Sequence, residues 1–333
     1  MNVYDNFTQC YLGLIDQVYN TPDFISSPRG QLVKEKLAVK FQINDPRSRI
    51  PYTAARKFSL HYMVAELLWY LSGEDSTEWI SNYSSFWRKI SDNGKTANSA
   101  YGARIFKTHD RIAGGQLVQW DYVVNELRKD NDSRRAVIHI RSPWDSTHAK
   151  LDVPCTLALQ FFIRDNKLHL VVNMRSSDII LGIAYDIPAF TFMQELMAVQ
   201  LGVGLGTYTH ISNSLHIYER HFNMAEEILL PENQTESLMC QISRGSMPPL
   251  TTNLPPIREL YLFEGAIRNC STAEEIYECL EELETIDIHI DHIDYWLDWG
   301  KVLASHRLKK LGFLNESNDM LNSTSYVGYH LLS

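Results

Sequence analysis

The sequence predicts a layered α+β (α/β) fold with a mainly helical C-terminal extension, and three observations support this. Two apolar segments at helical spacing bracket a group of β-branched and aromatic runs. After about Pro231 the sequence changes to a stretch rich in Ser, Gly, Thr and Pro, and then to acidic helical sequence.

The elements follow in order. Lys57 to Leu71 (KFSLHYMVAELLWYL) places apolar residues at helical spacing and stops at Ser72-Gly73, which predicts a buried helix carrying a single carboxylate, Glu66. Ala136 to Arg141, Leu157 to Arg164 and Lys167 to Met174 read as strands. Asp165-Asn166, between the last two, is a turn signal and predicts a hairpin. Phe190 to Leu201 reads as a mostly buried helix closed by Gly202. Ser243 to Pro256 reads as a loop or linker, and Ser271-Thr272-Ala273-Glu274 as a capping-box start to helical sequence running to about Gly312. A catalytic unit over 1–240 and a linker with a mainly helical extension over 241–333 are therefore expected. No internal repeat is evident.

Composition narrows the class. At 333 residues, 44% hydrophobic and 21% charged, the chain has the make-up of a globular protein. No apolar run reaches the roughly 18 residues of a membrane span, and Met1-Asn2-Val3-Tyr4-Asp5 lacks a secretory layout, so a cytoplasmic protein is expected. The net charge of −9 disfavours nucleic-acid polymers and anionic membranes, but leaves room for a local phosphate pocket. Five cysteines without a C-x-x-C pair indicate reduced thiols rather than a disulfide framework or zinc site. The run Asp287, His289, Asp291, His292 and Asp294 has no cysteine or distant ligand to close a metal site and reads as an exposed helix or turn face. No metal is expected. Trp296 and Trp299, at helical spacing, read as packing residues.

The chemistry-bearing residues lie in one collinear series: Pro154-Cys155, Asp165-Asn166-Lys167, Met174-Arg175-Ser176-Ser177-Asp178, Leu181-Gly182, Asp186, and Ser214-Leu215-His216-Ile217-Tyr218. Upstream stand Glu66-Leu67-Leu68-Trp69, Tyr101-Gly102 and Asp132-Ser133-Arg134-Arg135. Taken singly, each is weak: a lone Cys at a strand start is commonly a small buried hydrophobe. In order and spacing, over residues 25 to 225, the series resembles the thymidylate synthase family.

That resemblance implies a large mixed sheet packed by helices and a set of roles. Cys155 would add as thiolate to carbon 6 of a pyrimidine, which makes carbon 5 nucleophilic. Arg175 would lower the thiol pKa and also bind phosphate. With Ser176 and Arg29 it would hold the nucleotide phosphate, joined by Arg134 and Arg135 from the second subunit of a homodimer. Glu66 would move protons at the base and the folate imine, and Tyr101 would order the carbon 5 proton. His216 and Tyr218 would hold the sugar hydroxyl. Asp178, Trp87, Gly182 and Tyr185 would face 5,10-methylenetetrahydrofolate, the co-substrate.

Two departures fall at the base. The family commonly reads Pro-Cys-His and uses Asn after Leu-Gly, whereas this chain has Thr156 and Asp186. An aspartate accepts from the exocyclic amine of cytosine and, with a shared proton, also meets ring nitrogen 3. Both residues resemble the deoxycytidylate/cytidylate 5-hydroxymethylase branch, as do Ile163-Arg164-Asp165 and Val171-Val172-Asn173. In that branch water completes the reaction. Ile90 replaces a second folate-wall tryptophan, and the long C-terminus replaces a short closing tail. The expected activity is therefore hydroxymethylation of dCMP. The same reaction on CMP in nucleoside-antibiotic synthesis, methylation of dCMP or dUMP, and a catalytically idle nucleotide or mRNA binder are the alternatives.

Overall fold

The computed structural model describes residues 1–107, 109–110, 116–146, 151–244, 257–285 and 293–332. Its N-terminal part runs β1 (Asn2–Tyr4), α1 (Phe7–Asn20), β2 (Phe24–Ser26), β3 (Val33–Ile43) and α2 (Leu60–Leu71). The short helices α3 (Thr77–Ile80), α4 (Phe86–Ile90) and α5 (Tyr101–Phe106) follow, then the small hairpin β4 (His109–Asp110) and β5 (Gln116–Leu117), and α6 (Gln119–Lys129). The central strands are β6 (Val137–His139), β7 (Thr156–Arg164), β8 (Lys167–Met174) and β9 (Ser177–Asp178), leading into α7 (Ala184–Leu201) and β10 (Gly204–Tyr218). Helices α8 (Phe222–Leu229), α9 (Pro231–Arg244), α10 (Ile257–Ile267), α11 (Ala273–Thr285), α12 (Ile293–Leu311) and α13 (Leu314–Asn322) complete the chain.

The strands join in a mixed sheet of order β1-β3-β10-β8-β7-β6, with β2 on β3 and β9 on β10. The β10–β8 pair is parallel and its β3 and β7 neighbours are antiparallel. This parallel pair carries the site: it brings the end of β8, where Arg175 and Ser176 follow, beside His216 and Tyr218 of β10. The β7–β8 hairpin turns through Asp165 (φ 50°) and Asn166 (φ 55°), both left-handed, the two-residue turn that matches strand twist. A register shift in β7 between Thr156 and Ala158 lies directly after Cys155.

Helix α2 begins at Leu60, three residues later than predicted, after Ser59. Helix α7 begins six residues earlier than predicted, because Pro188 is tolerated near its start and a π-helical turn (Ile179–Ile183) precedes it. It closes on Gly202 in the left-handed conformation, where a side chain would be strained. The helical stretch Ile179–Leu201 is long and apolar enough to cross a membrane by length and composition, yet its most apolar window is 78% buried inside the protein. It is a core helix. The capping box of α11 is Thr272 with Glu275, one register on from the predicted one: Thr272 Oγ1 accepts from Glu275 N at 3.2 Å, and Glu275 accepts from Ser271 N at 2.6 Å.

The apolar residues of α10 to α13 join the same contiguous core as those of the sheet layer. Trp299 packs on Phe192 of α7 at 5.0 Å, with Trp296 edge-on at 6.2 Å. Arg49 and Arg47 both pair with buried Glu195 of α7. The final segment is held by Asp298 of α12, which accepts from Ser325 N at 2.6 Å, Ser325 Oγ at 2.8 Å and Tyr326 N at 3.0 Å. Most of the predicted Ser243–Pro256 linker and the residues Asp287, His289, Asp291 and His292 lie outside the described residues.

Candidate active site

Cys155 is half-buried at the foot of β7. The N–H of Arg175 donates to its carbonyl at 2.9 Å, while Arg175 Nε and Nη2 donate to the carbonyls of Pro154 (3.0 Å) and Val153 (2.8 Å). The guanidinium is thereby fastened to the loop that presents the thiol. Burial raises the Cys155 thiol above its ordinary value and Asp186 and Asp152 add to this, whereas Arg175, and after it Arg29, pull it down.

From Arg175 a cavity of 490 Å³ opens between the ends of β3, β8 and β10. Its wall includes Arg29, Arg175, Ser176, His216 and Tyr218, five of the predicted substrate residues. Arg29 sits there with left-handed φ (53°), an uncommon conformation for a residue with a side chain. Arg134 and Arg135 are exposed and do not line this cavity. Two further wall residues were missed by sequence reasoning: Arg141, which donates to Ser146 Oγ at 2.8 Å, and Glu35, which accepts from Ser26 Oγ at 3.1 Å and from Ser214 Oγ. Arg141 closes a predicted strand and Glu35 lies in a charged stretch outside any predicted element, so neither stood out.

On the other side of Cys155 lies a group of acids and tyrosines. Asp186, in the first turn of α7, keeps some exposure, but loss of water contact pushes its carboxyl well above the usual range, with Glu66 and Asp178 adding to the rise. Gly182 stands close against it: a Cβ there would lie 3.3 Å from Asp186 Oδ2. Tyr101, 6% exposed, lies near Asp186, Cys155 and the fully buried Thr156. Gly102 permits this, because a Cβ there would lie 2.1 Å from the Tyr70 carbonyl, so only glycine lets α5 approach α2 so closely.

Glu66, 6% exposed on α2, accepts from Tyr62 Oη at 2.7 Å and Tyr70 Oη at 3.1 Å. Burial raises its pKa to about 7 against the two hydrogen bonds. Tyr62 and Tyr70 were also missed, although their positions four residues either side of Glu66 place all three on one helix face.

Of the predicted folate residues, Trp87 and Tyr185 both meet Tyr62, and Gly182 lies against Asp178. Trp87 Nε1 donates to Tyr62 Oη at 2.9 Å; Tyr185 stacks on Phe58 at 4.9 Å and accepts from Ser59 N at 3.1 Å. Arg56 lies 5.6 Å from the Tyr185 ring. Asp178 caps the π-turn through Ile180 N (2.9 Å) and Leu181 N (3.3 Å) and pairs in register with His216. Flat aromatic surface beside a carboxylate fits a fused heteroaromatic ring with hydrogen-bond donors. Among the described residues no group of three or more His, Cys, Asp or Glu is placed to share a metal ion.

This mixed sheet, with a half-buried thiol braced by arginine and an arginine-lined cavity beside it, defines an α+β fold that the thymidylate synthase family model matches over residues 9–249. The chain belongs to that family. Among curated proteins it is similar to the deoxyuridylate hydroxymethyltransferase of Bacillus phage SP01, at 32% identity over 218 residues. The match covers 63% of this chain and 57% of that enzyme, so the chain spans little more than half of the relative's length.

Proposed function

We propose that this protein transfers a one-carbon unit from 5,10-methylenetetrahydrofolate to carbon 5 of a cytosine nucleotide, dCMP, with addition of water, giving 5-hydroxymethyl-dCMP and tetrahydrofolate. Family membership and the hydroxymethyltransferase relative support the reaction type. The base differs from that relative's, and one observation carries the assignment: beside Cys155 and Tyr101 stands Asp186, a carboxyl where the family commonly has the amide of Asn, and its surroundings favour sharing a proton with a ring nitrogen. A protonated carboxyl donates to cytosine N3 and accepts from the exocyclic amine at once, and a proton shared with N3 withdraws electrons from the ring.

In this reading Arg29, Arg141, Arg175 and Ser176 bind the phosphate, and His216 and Tyr218 the sugar. The Cys155 thiolate, favoured by Arg175, adds to carbon 6. The folate supplies the electrophilic carbon, held between Trp87, Tyr185, Gly182 and Asp178. Glu66 directs water and moves the proton, and Tyr101 takes part in removing the carbon 5 proton. A half-buried Ile90 in place of a second tryptophan leaves that wall thinner for water. A homodimer, with Arg134 and Arg135 reaching the neighbouring phosphate, is supported by their exposure and by exposed Phe24, Ile25 and Leu37 on β2 and β3.

Glu35 favours a second reading for the sugar. A carboxylate on the wall of the same cavity as the phosphate arginines suits the paired hydroxyls of ribose, so CMP is the ribonucleotide competitor.

The test is incubation with methylenetetrahydrofolate and each of dCMP, CMP and dUMP, with products identified by mass. A gain of CH2O with tetrahydrofolate is expected on dCMP. A methyl product with dihydrofolate means methylation, and no turnover means a binding protein. Asp186→Asn is expected to shift the dCMP to dUMP ratio of kcat/KM by about 100-fold toward uracil; an unchanged ratio means that the base is read elsewhere.

A further inference from the structure

Glu66 is held in an uncommon way. Tyr62 precedes it by one helical turn and Tyr70 follows it by one, and both hydroxyls donate to the same oxygen, Oε1, at 2.7 and 3.1 Å. Oε2 has no hydrogen bond among the described residues. The direction of the Tyr62 proton is fixed from α4: Trp87 Nε1 donates to Tyr62 Oη at 2.9 Å, so the hydroxyl's own hydrogen is left for Glu66. Tyr70 is fixed by its ring, which tilts against Tyr101 of α5 at 5.5 Å, where the Gly102 contact locks α5 to α2.

We propose that Tyr62 and Tyr70 are paired positioning residues for Glu66, holding one carboxyl oxygen so that the other is the one presented for proton transfer; this rests on the function proposed above. Packing alone does not account for the pair, since phenylalanine would fill both sites and leave Glu66 without a donor.

The same two hydroxyls set its ionisation. The titratable groups near it are Tyr62 and Tyr70 on α2, Tyr101 on α5, and Asp186 on α7, with Tyr185 of α7 beside Tyr62. The forces that lower its pKa against burial are the two tyrosine hydrogen bonds. Their removal raises the pKa and leaves less carboxylate at neutral pH.

The experiment uses the full chain with Tyr62→Phe, Tyr70→Phe and the double variant. The Glu66 side-chain carboxyl is titrated by carbon-13 NMR without substrates, its signal identified by its loss in Glu66→Gln. The expected midpoint rises by about one pH unit for each hydroxyl removed. The acid limb of kcat/KM for the cytosine nucleotide is expected to move upward in step, with kcat reduced and nucleotide KM unchanged. If Tyr70→Phe fails to fold, Trp87→Phe is the second variant, expected to raise the midpoint by freeing the Tyr62 proton. A Glu66 midpoint that stays fixed in the phenylalanine variants overturns the proposal while product formation still supports the reaction. A shifted midpoint in a protein that yields no product on any nucleotide overturns the reaction and leaves the tyrosine pair's hold on Glu66 standing.

Discussion

The backbone N–H of Arg175 donates to the carbonyl of Cys155 at 2.9 Å, joining the residue before β7 to the residue after β8 across the open end of their hairpin. The same arginine closes over the carbonyls of Val153 and Pro154, so one side chain shapes the loop and supplies the positive charge that most lowers the thiol pKa.

Replacing Arg175 by Ala therefore removes both. The Cys155 thiol, already raised by burial, is expected to rise further, so its alkylation at pH 8, followed peptide by peptide by mass spectrometry, slows by about tenfold. Two carbonyls also lose their donor, at about 1–3 kcal/mol in urea unfolding. Arg175→Lys is expected to recover part of the thiol effect and little of the loop, because an ammonium lacks the fork that meets two carbonyls.

Glu66 sets a pH dependence of stability with a definite sign. Its pKa goes from 4.5 unfolded to about 7 in the fold, so the native state favours the protonated form. The stabilisation is complete below pH 4.5 and is lost as pH rises toward 7, amounting to about 3 kcal/mol. Glu66→Gln stays neutral and still accepts from the tyrosines. It is expected to be inactive and yet more stable than the parent at pH 8, with the difference vanishing near pH 4.5, as read by urea midpoints at both values.

Gly102→Ala forces a Cβ to within 2.1 Å of the Tyr70 carbonyl, so α5 must move. The expected cost is about 1–3 kcal/mol of stability. Because Tyr101 rides on that helix, kcat is expected to fall at least tenfold with nucleotide binding kept, as calorimetry can check. Unchanged kcat would mean that Tyr101 tolerates displacement.

Glu195→Gln leaves Arg49, 1% exposed, without its carboxylate partner. Breaking a buried pair from one side costs about 3–5 kcal/mol. Tyr295 of α12 faces the same arginine, so the C-terminal helices are expected to loosen with it, which amide hydrogen exchange over α12 would reveal.

Much of this was legible in the sequence wherever the physics is local. Asp165 and Asn166 adopt the left-handed turn that their side chains tolerate, and Gly202 closes α7 for the same reason. The ordered motifs likewise identified the family and named the thiol, the arginine fastened to its loop and five residues of the cavity wall. The register of the α11 cap and the start of α7 were misjudged by one and six residues, because neighbouring sequence permits more than one solution and packing chooses among them.

By itself, then, the sequence determined helices α2 and α7, strands β6 to β8 with their hairpin, and the residue chemistry on which the proposed thiol-based reaction rests. The tertiary structure alone decided which side chains meet. Glu35 and Arg141 reach the cavity because β3, β8 and β10 are neighbours in the sheet, and Glu66 titrates near neutrality because α4, α5 and α7 enclose it. The physical reason is that burial and electrostatic proximity arise between elements distant along the chain, whereas periodicity reports only on residues a few positions apart.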